Sequence, residues 1–378
     1  MHILADENIA LAREYFAPYG RLSLRAGREI DNVSLRDVDV LLVRSVTRVD
    51  AALLEGTPVR FVATATSGID HIDRAYLERR GIGFAAARGC NAEGVVDYVF
   101  STLAALQLER GLDWLQQGIG IVGCGEIGSR LARRLLALGC TIRFYDPFLP
   151  ESHPLAPHFA PREEVLRQPI LTVHVPLTKD GPHPTRHMID AAVLAALPRA
   201  AVFINAARGE VVDEAALLAH CRKHQDFVAV LDAWQNEPRI SVELLQVARY
   251  GSPHIAGYSY GGKLRGTSMI HAQFCDHFGL DPSLAQLPPS AAPIVLELPE
   301  TGGALVTMLS QLILRAYDLR NDDAALRAAM QQPDAPKRFD ALRRDYPLRR
   351  EFSEYRVSVG ENPALRAAVT GLGMEVLA

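Results

Sequence analysis

Cysteine is scarce and scattered. The 378 residues hold five (Cys90, Cys124, Cys140, Cys221 and Cys275), with no C-x-x-C pair. That spacing is neither a disulfide framework nor a zinc site, so no metal is expected, and reduced thiols in a cytoplasmic protein are the simplest account. No apolar run approaches membrane-spanning length, and the opening MHILADENIA has neither a basic start nor a long apolar core. Neither a membrane span nor a signal peptide is therefore expected. Net charge is only −4, which argues against nonspecific nucleic-acid binding. There is no internal repeat and no low-complexity tract. What remains is a globular composition, 48% hydrophobic and 22% charged, in a chain long enough for two or three domains.

One stretch organises the rest. Gly123, Gly125 and Gly128 spell G-x-G-x-x-G. The apolar run 118–122 predicts a strand entering it, and the period of 129–138 predicts a helix leaving it. A second strand is predicted over 141–145, and Asp146 ends it about 20 residues past the glycines. In such a turn the first glycine permits the tight bend, the second leaves room for a pyrophosphate and the third lets helix meet strand. The helix start, with Glu126 and Ile127, offers free N–H groups to phosphate. Asp146 suits ribose hydroxyls and would repel a 2′-phosphate, so NAD is favoured over NADP. A glycine-rich turn without a ligand is the competing reading.

Around that stretch strands alternate with helices, which predicts parallel sheets covered on both faces. The first unit has expected strands at 2–4, 38–43, 61–65 and 82–86, with helices at 9–19, 51–54 and 72–80. Arg44 and Ser45, and Thr66 and Ser67, follow two of these strands, where ligands of such sheets gather. A helix over 92–108 carries the chain into the second unit, whose further strands are 170–175, 202–205 and 228–231. A helix over 263–278 returns it to the first. The chain would thus cross twice, near residues 90 and 258, and create a hinged cleft. Residues 281–293 read as a linker. Beyond it come a strand at 294–298, helices at 304–317 and 323–331, and strands at 355–359 and 374–377. The expected architecture is α/β, with two Rossmann-like doubly wound parallel-sheet domains and a small C-terminal α+β domain. The boundaries are 1–92 with 258–282, then 93–257, then 286–378.

Three polar residues follow apolar sequence or turns in the second unit: Arg208, Glu237 and His254. Arginine can bind a carboxylate through two parallel hydrogen bonds. Histidine can take an alcohol proton as a hydride leaves the same carbon. A neighbouring carboxylate orients the imidazole and stabilises its charged form. Read singly, Arg208 is also compatible with a capping ion pair, Glu237 with a turn acid before Pro238, and His254 with a structural histidine.

The segments 205–217 (NAARGEVVDEAAL), 231–238 (LDAWQNEP) and 252–259 (SPHIAGYS), together with 123–128 (GCGEIG) and Asp146, resemble the D-2-hydroxyacid dehydrogenase family over about residues 1–280. The resemblance implies that Arg208 binds the substrate carboxylate, Glu237 is the acidic partner and His254 is the acid/base. It also implies that His174, in TVHVPLT, runs beside NAD, and that Ala206, Ala207, Arg208, Asp232 and Gly257 lie at the nicotinamide and its ribose. Within the family, residues 90–103 (CNAEGVVDYVFSTL), residues 254–270 (HIAGYSYGGKLRGTSMI) and the tail are similar to a branch that oxidises a small phosphorylated 2-hydroxy acid in vitamin B6 synthesis and pairs as a homodimer through that tail. The short spacer 109–123 lacks the E-L-x-G-K-T sequence common elsewhere in the family, as in that branch. For the substrate, Arg44, Ser45, Thr66, Ser67 and Tyr258 are the candidates, with loop capping the alternative for Ser45 and Thr66. The arginines over 343–350 read as a solvated face rather than a group reaching a partner's cleft. Two other readings stay open: a dehydrogenase of 3-phosphoglycerate, and an NAD-sensing corepressor without catalysis.

Overall fold

A computed structural model of the chain describes residues 1–288, 292–298, 303–360 and 362–377. The chain divides into two compact units, Met1–Asn91 with Ser259–Ala292, and Ala92–Tyr258 with Pro293–Ala378. Part of the expected linker, residues 289–291, lies outside the described residues.

The first unit is built on a five-stranded parallel sheet. Its strands are β1 (His2–Asp6), β2 (Arg21–Arg25), β3 (Val40–Val43), β4 (Phe61–Thr64) and β5 (Gly83–Ala86), in the order β2-β1-β3-β4-β5. β3 and β4 are buried at every position, as strands covered on both faces must be. β2 was not expected. Its RLSLR sequence is exposed at both ends, and it forms because it pairs with β1 at the sheet edge. The helix expected over 9–19 shrinks to Ala12–Phe16, followed by a 3-10 turn Ala17–Tyr19. Pro18 lacks the N–H that a continuing helix needs and starts the new turn instead.

The second unit holds a six-stranded parallel sheet. It comprises β6 (Ile119–Val122), β7 (Ile142–Tyr145), β8 (Ile170–Val173), β9 (Val202–Asn205), β10 (Val228–Leu231) and β11 (Tyr250–Gly251). The order is β11-β10-β9-β8-β6-β7. The chain steps outward from β6 to β7, then crosses back to lay β8 on the other side of β6. Such a reversal opens a crevice at the carboxyl ends of the two central strands. Gly123 directly follows β6, and His174 directly follows β8.

The tail forms its own parallel sheet from β12 (Ile294–Glu297), β13 (Tyr355–Ser358) and β14 (Glu375–Val376), in that order. Residues 286–378 thus carry the small C-terminal sheet and helices that were expected, and the contacts gather the chain from Pro293 onward with the six-stranded unit. The cause is the helix Ala92–Arg110, which is buried without a break from Gly94 to Leu106. A helix apolar all round needs neighbours on every side. It has Glu126–Ala137 against it, and Leu305–Ala316 of the tail. Ser101 Oγ donates to the Tyr317 carbonyl at 2.8 Å, and Gln107 Nε2 donates to Thr307 Oγ1 at 3.0 Å.

Candidate active site

The three glycines of the fingerprint do different work. Gly123 has φ +93, a left-handed bend that glycine adopts without strain. A Cβ there would also meet the His174 carbonyl oxygen at 2.5 Å. A Cβ on Gly128 would lie 1.9 Å from the Gly123 carbonyl oxygen, so this position sets how closely helix meets turn. A Cβ on Gly125 would meet nothing within 4 Å. Its open side faces a cavity of ≈ 500 Å³ whose lining includes Gly123, Gly125, Asp146 and His174. Gly125 caps the helix Glu126–Ala137 without any side-chain hydrogen bond to the first turn. The N–H groups there stay available to an anion. Glu126 is exposed and pairs with Arg130, while Ile127 is half-buried.

Asp146 already shapes this cradle. One carboxylate oxygen accepts from the Cys124 N–H at 2.9 Å, the other from the Phe148 N–H at 3.0 Å. His174 is buried, with Nε2 at 2.9 Å from Thr172 Oγ1 and Nδ1 without a partner. Burial drives its pKa down to about 3, so the ring is neutral. An orphaned buried ring nitrogen on the cavity wall, an uncapped helix start and an open glycine together fit a dinucleotide.

His254, Glu237 and Arg208 sit on three loops of the same unit, and their neighbours show how those loops meet. His254 Nδ1 lies 2.8 and 3.0 Å from the two Glu237 oxygens. Burial alone would raise the Glu237 pKa, but His254, the Arg343 charge and the Trp234 N–H outweigh it, and the net direction is down. Glu237 therefore stays anionic. Arg208 follows β9, where Asn205 braces the turn by donating to the Arg208 carbonyl at 3.0 Å and accepting from the Ala207 N–H at 3.1 Å. Ala206 and Ala207 are buried beside it. Gly209 brings this turn against the Glu237 loop, since a Cβ there would lie 2.0 Å from the Trp234 carbonyl carbon.

His254 has φ +57, a left-handed conformation that costs a non-glycine residue about 1 kcal/mol or more. Asp232 and Arg349 hold the chain just after it. Asp232 accepts from the N–H groups of Ile255 and Ala256 at 2.7 and 3.0 Å, and from Ser252 Oγ at 2.7 Å. Arg349 donates to the Ala256 carbonyl, to Gly94 at 2.9 Å and to Ile255 at 3.5 Å. Gly257, half-buried, and Tyr258 follow this clamp. The arginines 343–350 are thus not all a solvated face. Arg349 is 7% exposed, because its guanidinium meets backbone carbonyls and lies over the Tyr317 ring at 4.3 Å. The clustered charge carried no clue to this in the sequence.

In the first unit, Arg44 and Ser45 follow β3, and Thr66 and Ser67 come just after β4 on the neighbouring strand, so all four lie at one sheet edge. Ser45 is exposed. Thr66 Oγ1 is 2.7 Å from Thr64 Oγ1 and donates to the Gly68 carbonyl at 3.0 Å. Ser67 Oγ accepts from the Gly89 N–H at 3.0 Å.

Residues 104–256 match the model for the NAD binding domain of D-isomer specific 2-hydroxyacid dehydrogenases, and residues 9–111 match that family's catalytic domain. The chain belongs to the D-isomer specific 2-hydroxyacid dehydrogenase family. It is an NAD-dependent enzyme of that family. The tail of this dehydrogenase, residues 295–373, matches a domain of unknown function. The chain is 47% identical over 383 residues to an erythronate-4-phosphate dehydrogenase of Stutzerimonas stutzeri, covering 100% of each. It is 44% identical over 381 residues to one of Saccharophagus degradans, again covering 100% of each. Among solved structures, NAD+-bound 3-phosphoglycerate dehydrogenase of Entamoeba histolytica shares the fold at a TM-score of 0.63 and 22% identity, over 74% of this chain and 95% of that one. A D-lactate dehydrogenase of Aquifex aeolicus does so at 0.61 and 20%, over 74% and 96%. Among the described residues no helix is long and apolar enough to cross a membrane.

Proposed function

We infer that this dehydrogenase oxidises the 2-hydroxyl of 4-phospho-D-erythronate to the 2-oxo acid, as a step of vitamin B6 synthesis. Full-length likeness to erythronate-4-phosphate dehydrogenases, tail included, supports the substrate. The observation that carries the chemistry is the 2.8 Å contact between His254 Nδ1 and Glu237. With Nδ1 held by the carboxylate, Nε2 is the nitrogen that takes the hydroxyl proton. Glu237 stabilises the imidazolium that results. Arg208 holds the substrate carboxylate and draws on the C2 oxygen as it becomes a carbonyl. NAD held in the glycine cradle would supply the acceptor for the hydride from C2. Gly123, Gly125, Glu126, Ile127, Gly128, Asp146, His174, Ala206, Ala207, Asp232 and Gly257 are assigned to holding it. Arg44, Ser45, Thr66, Ser67 and Tyr258 are assigned to the substrate.

The enzyme is further proposed to be a cytoplasmic homodimer paired through its tail. Five buried cysteines with no disulfide among the described residues support a reducing compartment. β12 supports the pairing. It is an edge strand whose Ile294 and Val295 are 38% and 56% exposed, and an uncovered apolar edge invites a partner. Absorbance of NADH during incubation with 4-phospho-D-erythronate tests the reaction, with 3-phosphoglycerate at equal concentration as competitor. Preference for 3-phosphoglycerate, or no NADH from either, would overturn it.

A further inference from the structure

We propose that Arg343, carried by the tail helix Ala335–Arg344, is a specificity residue that binds the phosphate of the substrate. The proposal rests on the reading of the substrate as a phosphorylated hydroxy acid.

The arginines of the tail are spent very differently. Arg327 directs Nε to Asp323 at 2.9 Å and its other nitrogens to the carbonyls of Leu245 and Ala248, both at 2.8 Å. Arg350 pairs with Glu354 at 2.8 Å. Arg343 makes no such ion pair among the described residues. Its Nη2 donates to the Tyr258 hydroxyl at 3.2 Å, and its Cζ lies 5.7 Å from the centre of the Tyr258 ring. Its Nε is buried without a partner, as are those of Arg349 and Arg350, and among the described residues no carboxylate lies within ion-pair distance of it. Glu237 and Asp340 act on this half-buried guanidinium only through their charge, so its donors keep capacity for a further anion.

The place is right for that anion. Tyr258 comes four residues after His254, just past the Asp232–Arg349 clamp. The Arg343 charge also reaches Glu237, whose carboxyl it helps to hold down. A 4-phospho-2-hydroxy acid carries an anion at each end. With its carboxylate assigned to Arg208 and its C2 hydroxyl to His254, the phosphate is the group still needing a fork of N–H donors. Arginine supplies that geometry and lysine does not.

Two measurements on the full-length, NAD-saturated enzyme test this with Arg343→Gln and Arg343→Lys. In the first, NADH formation gives kcat/KM for 4-phospho-D-erythronate and for D-erythronate. The ratio of the two should fall about 10- to 100-fold in Arg343→Gln, the range expected for hydrogen bonds to a charged group, and recover in part in Arg343→Lys. An equal loss on both substrates marks a structural role and overturns the proposal, as does an unchanged ratio. In the second, inorganic phosphate is titrated calorimetrically into wild type and both variants. Weaker binding in Arg343→Gln supports the assignment, and equal binding overturns it. Should wild type fail to oxidise 4-phospho-D-erythronate, the substrate reading falls, and the phosphate titration still decides the role of Arg343. Should Arg343→Gln fail to fold, Arg343→Lys carries both measurements.

Discussion

Replacing Gly125 and Gly128 by alanine, one at a time, should give opposite signatures. At Gly125 the added methyl meets nothing within 4 Å, and φ is −73, which alanine accepts. Stiffening the unfolded chain favours folding by about 0.4–1 kcal/mol. Losing glycine at a helix N-cap costs roughly as much. The two nearly cancel, so Tm without nucleotide should move by no more than about 2 °C. The methyl, however, projects into the cavity where phosphates approach the helix start. Losing one charge-assisted contact at about 1.5–3 kcal/mol weakens NAD binding roughly 10- to 100-fold. At Gly128 the methyl would stand 1.9 Å from a backbone oxygen, and neither partner is a flexible side chain. Helix and turn must separate by more than about 1 Å in a close-packed interior, an overpacking cost of about 1–3 kcal/mol. That lowers Tm by about 2–12 °C. Scanning calorimetry gives the first quantity and NAD titration calorimetry the second. A Gly125→Ala protein that binds NAD like wild type would refute the idea that the pyrophosphate passes over that glycine.

Changing His254 to Ala should cut kcat by about 10²–10⁴ while the NAD dissociation constant stays within about twofold, and a matching loss of NAD affinity would remove the histidine from proton transfer. Arg349→Met should lower both Tm and kcat, because the Gly94 and Ala256 carbonyls lose their donor at about 1–3 kcal/mol for each group left unmet; an unchanged kcat would show that the clamp does not position His254. His174 carries a folded pKa of about 3 against an ordinary 6.5, so the folded state binds fewer protons in that window. Its contribution to stability is full above about pH 6.5 and declines as pH falls towards 3. Urea midpoints of His174→Asn should therefore be flatter with pH over that range than those of wild type, and parallel curves would contradict its burial as a neutral ring.

The glycine fingerprint was legible because its meaning is local: turn, helix start and acid lie within about 20 residues. The strands β3, β4, β9 and β10 were legible as unbroken apolar runs. β2 was not, since its charged ends only make sense beside β1. The helices Glu214–Lys223 and Pro363–Gly371 were not anticipated either, although Asp213 and Asn362 cap them with side-chain hydrogen bonds that a search for capping residues would flag. Arg208, Glu237 and His254 were singled out by motif. What holds them was not, because Arg349 stands 95 residues beyond His254 and nothing in RR announces a buried guanidinium over a tyrosine ring. The grip of the Asp232 oxygens on the backbone after His254 was not legible either, since it joins residues more than 20 positions apart.

Arg349 bears on any effort to prune or transplant this enzyme. A protein engineer who stopped the chain at residue 292 would be discarding a rivet from the loop that carries His254, not an accessory. Grafting the 252–259 segment onto a shorter scaffold would need a substitute cation beneath it, or the histidine would lose the brace that keeps its unfavourable backbone angle in place.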